Sequence, residues 1–143
     1  MRLTIFGAGY VGLVTGAGLS DLGHDVLVFD IDEEKIRKLE GGHVPIYEPG
    51  LGDLIARNRK QGRLRFASKL EPLDDVDAYF IAVGTPPAPD GSADLTAVMS
   101  VANMIAKTAT TSALVVVKST VPVGTCDAVQ LRLRESAVSL EVV

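Results

Sequence analysis

The chain has 143 residues, a formal net charge of −4, 47% hydrophobic content and one cysteine. That length and apolar fraction suit one globular domain with a substantial core. The acidic balance removes the electrostatic case for nucleic acid, and a lone cysteine excludes an internal disulfide and fits a reducing compartment.

Arg2 followed by apolar residues imitates a signal peptide, but Gly7, Gly9 and Gly12 break that segment and residues 21–25 make no cleavage region. No apolar run approaches the ~20 residues needed to span a bilayer. The expectation is a soluble, cytoplasmic protein with no membrane or nucleic-acid partner. Arg57, Arg59, Lys60 and Arg63 cluster among acidic neighbours and read as a solvated helix face.

Residues 3–6 form an apolar run that leads into Gly7-Ala8-Gly9-Tyr10-Val11-Gly12, three glycines spaced G-x-G-x-x-G. A helical pattern over 10–22 follows, then Gly23, then a second apolar run over 26–29 that ends on Asp30. This is the order strand, glycine turn, helix, parallel strand. Gly7 permits the turn, Gly9 lets backbone approach a pyrophosphate, and Gly12 lets helix pack close to strand. The helix start offers free N–H groups and a positive dipole end to phosphates. Asp30 at the tip of the second strand is placed to accept the ribose hydroxyls of an adenosine, and a carboxylate there disfavours NADP, so NAD is the expected cofactor. A plain turn glycine set and a plain helix cap at Asp30 are the competing structural roles. Gly16 and Gly18, poor helix formers, read as close-packing positions.

A second helix opens after Asp30, capped by Asp30 or Asp32, with Ile36 and Leu39 on its apolar side and Gly41-Gly42 at its end. Lys35, one turn in, lies on the side of Asp30 and can reach the ribose or simply be solvated. Residues 43–52 read as a loop, 51–61 as a basic short helix, and 64–67 as a short strand at one side of the sheet. Asp74, Asp75 and Asp77 read as a solvated turn and not a metal site. The apolar run 78–83 has the continuity of a buried parallel strand. It ends in Gly84-Thr85-Pro86, small residues and a hydroxyl where open α/β sheets bind ligands.

Asp94 is expected to cap a helix whose apolar stripe is Leu95, Val98, Met99, Ala102, Ile105 and Ala106. Residues 113–117 read as a second buried strand, followed by Lys118-Ser119-Thr120. The two hydroxyls there share the rim with Thr85, so ligand contact competes with an ordinary helix-entry role. A last helix carries Cys126, Val129, Leu133 and Ala137 on one side, which makes Cys126 a buried structural thiol, and residues 139–143 form a final strand. His24 and His43 read as structural or surface residues, and no spacing supports a metal. The alternation of strands and helices predicts a Rossmann-type α/β fold: one doubly wound, mostly parallel, six-stranded sheet over residues 1–143.

Four stretches together resemble the NAD-binding domain of the UDP-glucose/GDP-mannose dehydrogenase family. They are Gly7-Ala-Gly-Tyr-Val-Gly-Leu13, Ile46-Tyr-Glu-Pro-Gly-Leu51, Ala82-Val-Gly-Thr-Pro-Pro87 and Lys118-Ser-Thr-Val-Pro-Val-Gly-Thr125, and Asp90-Gly-Ser-Ala-Asp-Leu95 fits the UDP-glucose branch. The resemblance implies oxidation of C6 of a nucleotide sugar, UDP-glucose or GDP-mannose, with two NAD. It makes Gly7, Ala8, Gly9, Tyr10, Val11 and Gly12 the cofactor-binding turn, with backbone contacts from Tyr10 and Val11 to the pyrophosphate, and assigns Asp30 to the adenosine ribose with Lys35 beside it. Gly84, Thr85 and Pro86 border the cofactor, and Ser119 and Thr120 lie near the nicotinamide. By the same resemblance Thr120 is expected to be the catalytic residue, helping to hold a water for acid–base work. Family enzymes continue into a connecting helix and a UDP-sugar domain carrying the nucleophilic cysteine, neither of which is in these residues. Homodimers in the family use that helix, so this chain is expected to be monomeric or weakly associating. A stand-alone NAD-binding sensor and, more remotely, a methyl-donor-binding protein are the rival readings.

Overall fold

The computed structural model describes residues 1–70 and 75–143. The chain forms β1 (Arg2–Phe6), α1 (Tyr10–Asp21), β2 (Asp25–Phe29), α2 (Glu33–Glu40), α3 (Leu51–Lys60), β3 (Leu64–Ala67), β4 (Ala78–Ile81), α4 (Thr96–Thr108), β5 (Ala113–Val117), α5 (Thr125–Leu133) and β6 (Leu140–Val142). The strands make one sheet in the order β3-β2-β1-β4-β5-β6. Every pairing is parallel, with Ile5 opposite Val28 and Phe80, and Phe6 opposite Phe29 and Ile81. From β1 the chain winds one way to β3; from β4 it winds the other way to β6. The carboxyl ends of β1 and β4 therefore flank the topological switch point, where ligands of such sheets bind.

The apolar runs are continuous because both faces of the central strands are covered. On one face Ile5, Val26 and Val28 pack with Leu13, Ala17, Leu39 and Ile55 of α1, α2 and α3. On the other, Phe6, Phe29, Tyr79 and Ile81 pack with Val98, Ile105, Val129 and Leu133 of α4 and α5. Phe6 meets Phe29 edge to face at 5.6 Å between ring centroids. Gly16 is a packing position as expected: a Cβ there would lie 2.8 Å from a Val28 methyl.

Several expectations need correction. A Cβ on Gly18 would meet nothing within 4 Å, so its glycine serves no close contact. β5 is only half covered: Val115 is buried between the helices, whereas Leu114, pointing to the opposite face, is 42% exposed. Cys126 is exposed, not buried. The buried stripe of α5 is Thr125, Val129 and Leu133 at i, i+4 and i+8, and Cys126 is rotated off it by one residue. Ala137 lies beyond the end of α5 and is exposed. α4 begins at Thr96, and Asp94 still caps it in effect, its carboxylate accepting the Thr96 N–H at 2.9 Å. Asp77 accepts the Arg2 N–H and Asp75 pairs with the Arg2 guanidinium, whereas Asp74 lies outside the described residues. Among the described residues no group of His, Cys, Asp and Glu could hold a metal, and no helix is long and apolar enough to cross a membrane.

Candidate functional site

The turn from β1 into α1 is built by glycines for two different reasons. Gly7 has φ +108°, donates its N–H to Phe29 O at 2.7 Å, and lies so close to β4 that a Cβ would sit 2.6 Å from Ala82 O. At Gly12 a Cβ would be 1.8 Å from Gly7 O, so this position sets how closely α1 approaches β1. Gly9 differs. Its backbone is extended (φ −81°, ψ −171°), and a Cβ would meet no protein atom within 4 Å. No side chain caps α1 and no acidic residue lies in its first turn, so its leading N–H groups are open to an anion. Tyr10 and Val11 stand exposed at that tip.

Asp30 follows β2 and sits against the glycine turn. Its Oδ2 accepts the Ala8 N–H at 2.8 Å and the Lys35 ammonium at 2.9 Å, and its Oδ1 accepts the Asp32 N–H at 3.0 Å. Burial by itself would push this carboxyl up. The donations from Asp32, Lys35 and Ala8 outweigh it and hold Asp30 below the ordinary carboxylate range. Asp32 is the cap of α2, accepting the Lys35 N–H at 2.9 Å, which settles the choice between the two aspartates. Lys35 is thus an ion-pair partner of Asp30 and not a freely solvated lysine.

Beside Asp30 opens a cavity of about 420 Å³. Phe6, Phe29, Ile31, Val83, Pro86 and Met104 supply its apolar lining, and Asp30, Asp94, Thr96 and Ser100 its polar edge. Its size and its few convergent polar groups are those of a small-molecule site. Further along the rim the β4 and β5 ends are tied together. The Thr85 hydroxyl donates to Thr120 O at 2.8 Å, and the Ser119 hydroxyl donates to Val83 O at 2.7 Å. Both hydroxyls hold the loops in place while keeping lone pairs to accept from a ligand. Gly84 and Thr120 are exposed on this rim. The structure therefore gathers the glycine turn, Asp30, Lys35, Gly84, Thr85, Pro86, Ser119 and Thr120 at one edge of the sheet.

One rim contact escaped the sequence. The Tyr10 hydroxyl donates to Glu48 Oε2 at 2.8 Å, joining the tip of α1 to the loop after α2. This bond to Glu48 and the charge of that carboxylate push the Tyr10 phenol up. Both residues lay in singled-out motifs, but nothing in their spacing pairs them. His24 is half-buried and His43 exposed, and neither belongs to the rim.

A glycine turn with open space over Gly9, an uncapped helix start, a carboxylate after β2 and an apolar cavity beside it at the switch point define a dinucleotide-binding Rossmann domain. The sequence profile described as "UDP-glucose/GDP-mannose dehydrogenase family, NAD binding domain" matches residues 1–143. The chain belongs to this family and is its NAD-binding domain. It is 49% identical over 128 residues to UDP-glucose 6-dehydrogenase YwqF of Bacillus subtilis, covering 89% of this chain and 29% of that protein. Among solved structures it matches a UDP-glucose dehydrogenase of Pyrobaculum islandicum at TM-score 0.91 and 42% identity, over 99% of this chain and 34% of that one. A GDP-mannose dehydrogenase of Pseudomonas aeruginosa, solved as a ternary complex, matches at TM-score 0.84 and 34% identity, over 99% and 35%. The chain thus spans about a third of the length of the relatives it matches.

Proposed function

We propose that this domain serves a UDP-glucose 6-dehydrogenase, holding the NAD that oxidises C6 of UDP-glucose on the way to UDP-glucuronate. The observation that carries the NAD seat is Gly9. Its backbone needs no glycine, its Cβ direction is empty, and it caps a helix whose N–H groups have no side-chain partner. The UDP-glucose assignment is supported by the resemblance to the Bacillus and Pyrobaculum UDP-glucose dehydrogenases and by the lower identity to the GDP-mannose enzyme. Bound NAD supplies the hydride acceptor. The chain's own residues position it: α1 presents N–H groups to the pyrophosphate, Asp30 and Lys35 meet the adenosine ribose, and the cavity beside Phe29 and Ile31 takes the adenine. Thr85, Ser119 and Thr120 border the nicotinamide end. Thr120, its backbone pinned by the Thr85 hydroxyl, is assigned the water used in acid–base work.

The sugar-binding domain and the covalent nucleophile belong to the part of the relatives that this chain does not span. Cys126 is a free, exposed cysteine of α5, outside that part, and is not assigned the role of nucleophile. Calorimetric titration of this chain with NAD, followed by UDP-glucose addition and NADH absorbance, tests the assignment. The expected result is saturable NAD binding without sustained turnover. Failure to bind NAD defeats the cofactor reading, and sustained NADH production defeats the division of labour.

A further inference from the structure

We infer that the α4 side of the cavity reads the edge of the adenine: Asp94 accepts from the amino group of the base and Ser100 donates to a ring nitrogen, so the domain selects adenine over a base without that amino group. The inference rests on the seating of the adenine in this cavity, proposed above, and deepens it. The cavity has two unlike walls. One is the sheet rim, where Phe6, Phe29, Val83 and Pro86 offer apolar surface to the face of a flat ring, and Ile31, 78% exposed, extends that surface to the mouth. The other is α4. Its buried stripe is Val98, Val101, Ala102 and Ile105. Thr96, Ser100 and Met104 fall at i, i+4 and i+8 on an adjoining face, and this face lines the cavity together with Asp94, which stands just before the helix.

The two polar groups on this wall have opposite hydrogen-bonding character. The Thr96 hydroxyl and N–H both donate to the Asp94 carboxylate, the N–H at 2.9 Å, and hold it below the ordinary carboxylate range. Asp94 is therefore ionised and an acceptor only, and two donors leave about half of its four acceptor positions open. Among the described residues no protein group holds the Ser100 hydroxyl, which keeps its proton to give. Adenine presents an amino donor next to a ring-nitrogen acceptor. A carboxylate and a free hydroxyl are complementary to that pair. Hypoxanthine reverses it: a carbonyl oxygen replaces the amino group, and the neighbouring N1 becomes a donor. That oxygen would face a carboxylate with no proton to offer, an acceptor left against an acceptor. Asp94 and Ser100 are both exposed, so water competes for them. Discrimination is then about tenfold, far from the ~10⁴-fold of a buried readout.

The test is calorimetric titration of this chain with NAD and with nicotinamide hypoxanthine dinucleotide, which differ only at that edge, in the wild type, Asp94→Asn and Ser100→Ala. The wild type should bind NAD about tenfold more tightly than the hypoxanthine analogue. Asp94→Asn still caps α4, and its amide can donate to the hypoxanthine oxygen, so the ratio should narrow by about fivefold or more. Ser100→Ala should lower NAD affinity about threefold or more while Tm stays within about 2 °C of the wild type, because the change is on an exposed face. Equal binding of the two dinucleotides by the wild type, within about twofold, overturns the inference, and the cavity then holds the base by apolar contact alone. An unchanged ratio in a folded Asp94→Asn protein, or full NAD affinity in Ser100→Ala, overturns it as well. If Asp94→Asn fails to fold, the wild-type ratio and Ser100→Ala still decide. A wild type that binds neither dinucleotide defeats the NAD reading itself, a separate outcome.

Discussion

Replacing Gly9 and Gly12 separately by alanine should split what the glycine turn does for the fold from what it does for the ligand. At Gly12 the new Cβ would lie 1.8 Å from Gly7 O, where 3.4 Å is the lower edge of ordinary contact. The obstacle is backbone carbonyl, so no rotamer change relieves it and α1 must move away from β1. Overpacking of this kind costs about 1–3 kcal/mol. A rigid backbone partner puts Gly12→Ala at the upper end, roughly a 10 °C drop in Tm for a domain of this size. Gly9→Ala meets no atom within 4 Å and keeps an extended conformation open to any residue. Its effect on the fold should run from none to a gain of about 0.4–1 kcal/mol through a less flexible unfolded chain. That methyl nevertheless enters the space assigned to the pyrophosphate, so NAD affinity should fall by at least about tenfold, or 1.4 kcal/mol. Thermal melts followed by circular dichroism read the first effect and calorimetric titration with NAD the second. A Gly9→Ala protein that binds NAD within about twofold of the wild type would refute the placement of the cofactor over this turn. A Gly12→Ala protein with an unchanged melt would refute the close-packing argument.

Two further outcomes are expected. Tyr79 is fully buried, and among the described residues its hydroxyl has no hydrogen-bond partner, so Tyr79→Phe should be neutral or stabilise by up to about 1–3 kcal/mol in denaturant titration. Burial also raises the Tyr79 phenol. The folded state thus holds that proton more tightly than the unfolded chain, and stability present below about pH 10 falls as pH rises through the raised value. Tyr79→Phe should remove this alkaline loss, and an unchanged alkaline limb would count against it. Cys126→Ala, now an exposed change, should alter stability by no more than about 0.5 kcal/mol and leave NAD affinity intact; a large loss of either contradicts the surface assignment.

Much of this fold is written in short-range pattern. Residues 3–6, 26–29 and 78–81 are apolar without alternation because helices cover both of their faces, and the glycine turn declares the first crossover. Asp30, Thr85, Ser119 and Thr120 were legible as rim residues because strand ends in a parallel sheet all point to one edge. What the pattern could not carry is rotation and coverage. In a helix as short as α5, moving by one residue turns a side chain by about 100°, enough to carry Cys126 from stripe to surface. Leu114 looks like any core leucine until the topology puts α4 and α5 on the other face of its strand. The Tyr10–Glu48 bond joins residues 38 positions apart through the fold alone.

The donor set on Asp30 also bears on where cofactor affinity must come from. A carboxylate has about four acceptor positions, and three donors already occupy this one. Two ribose hydroxyls cannot simply be added. Ala8 and Asp32 donate from backbone fixed by the turn and by the start of α2, so the Lys35 ammonium is the group free to move aside. On the proposed placement, ribose binding exchanges one charge-assisted bond for another, and its net contribution is far below the ~1.5–3 kcal/mol that a hydrogen bond to a charged group can be worth. The main attraction has to lie in the apolar cavity, where each ~100 Å² of surface removed from water is worth about 2.5 kcal/mol, and at the open start of α1. On the proposed placement Asp30→Ser should cost NAD well under the ~1.5–3 kcal/mol of a hydrogen bond to a charged group, and a larger loss by calorimetric titration would refute the exchange.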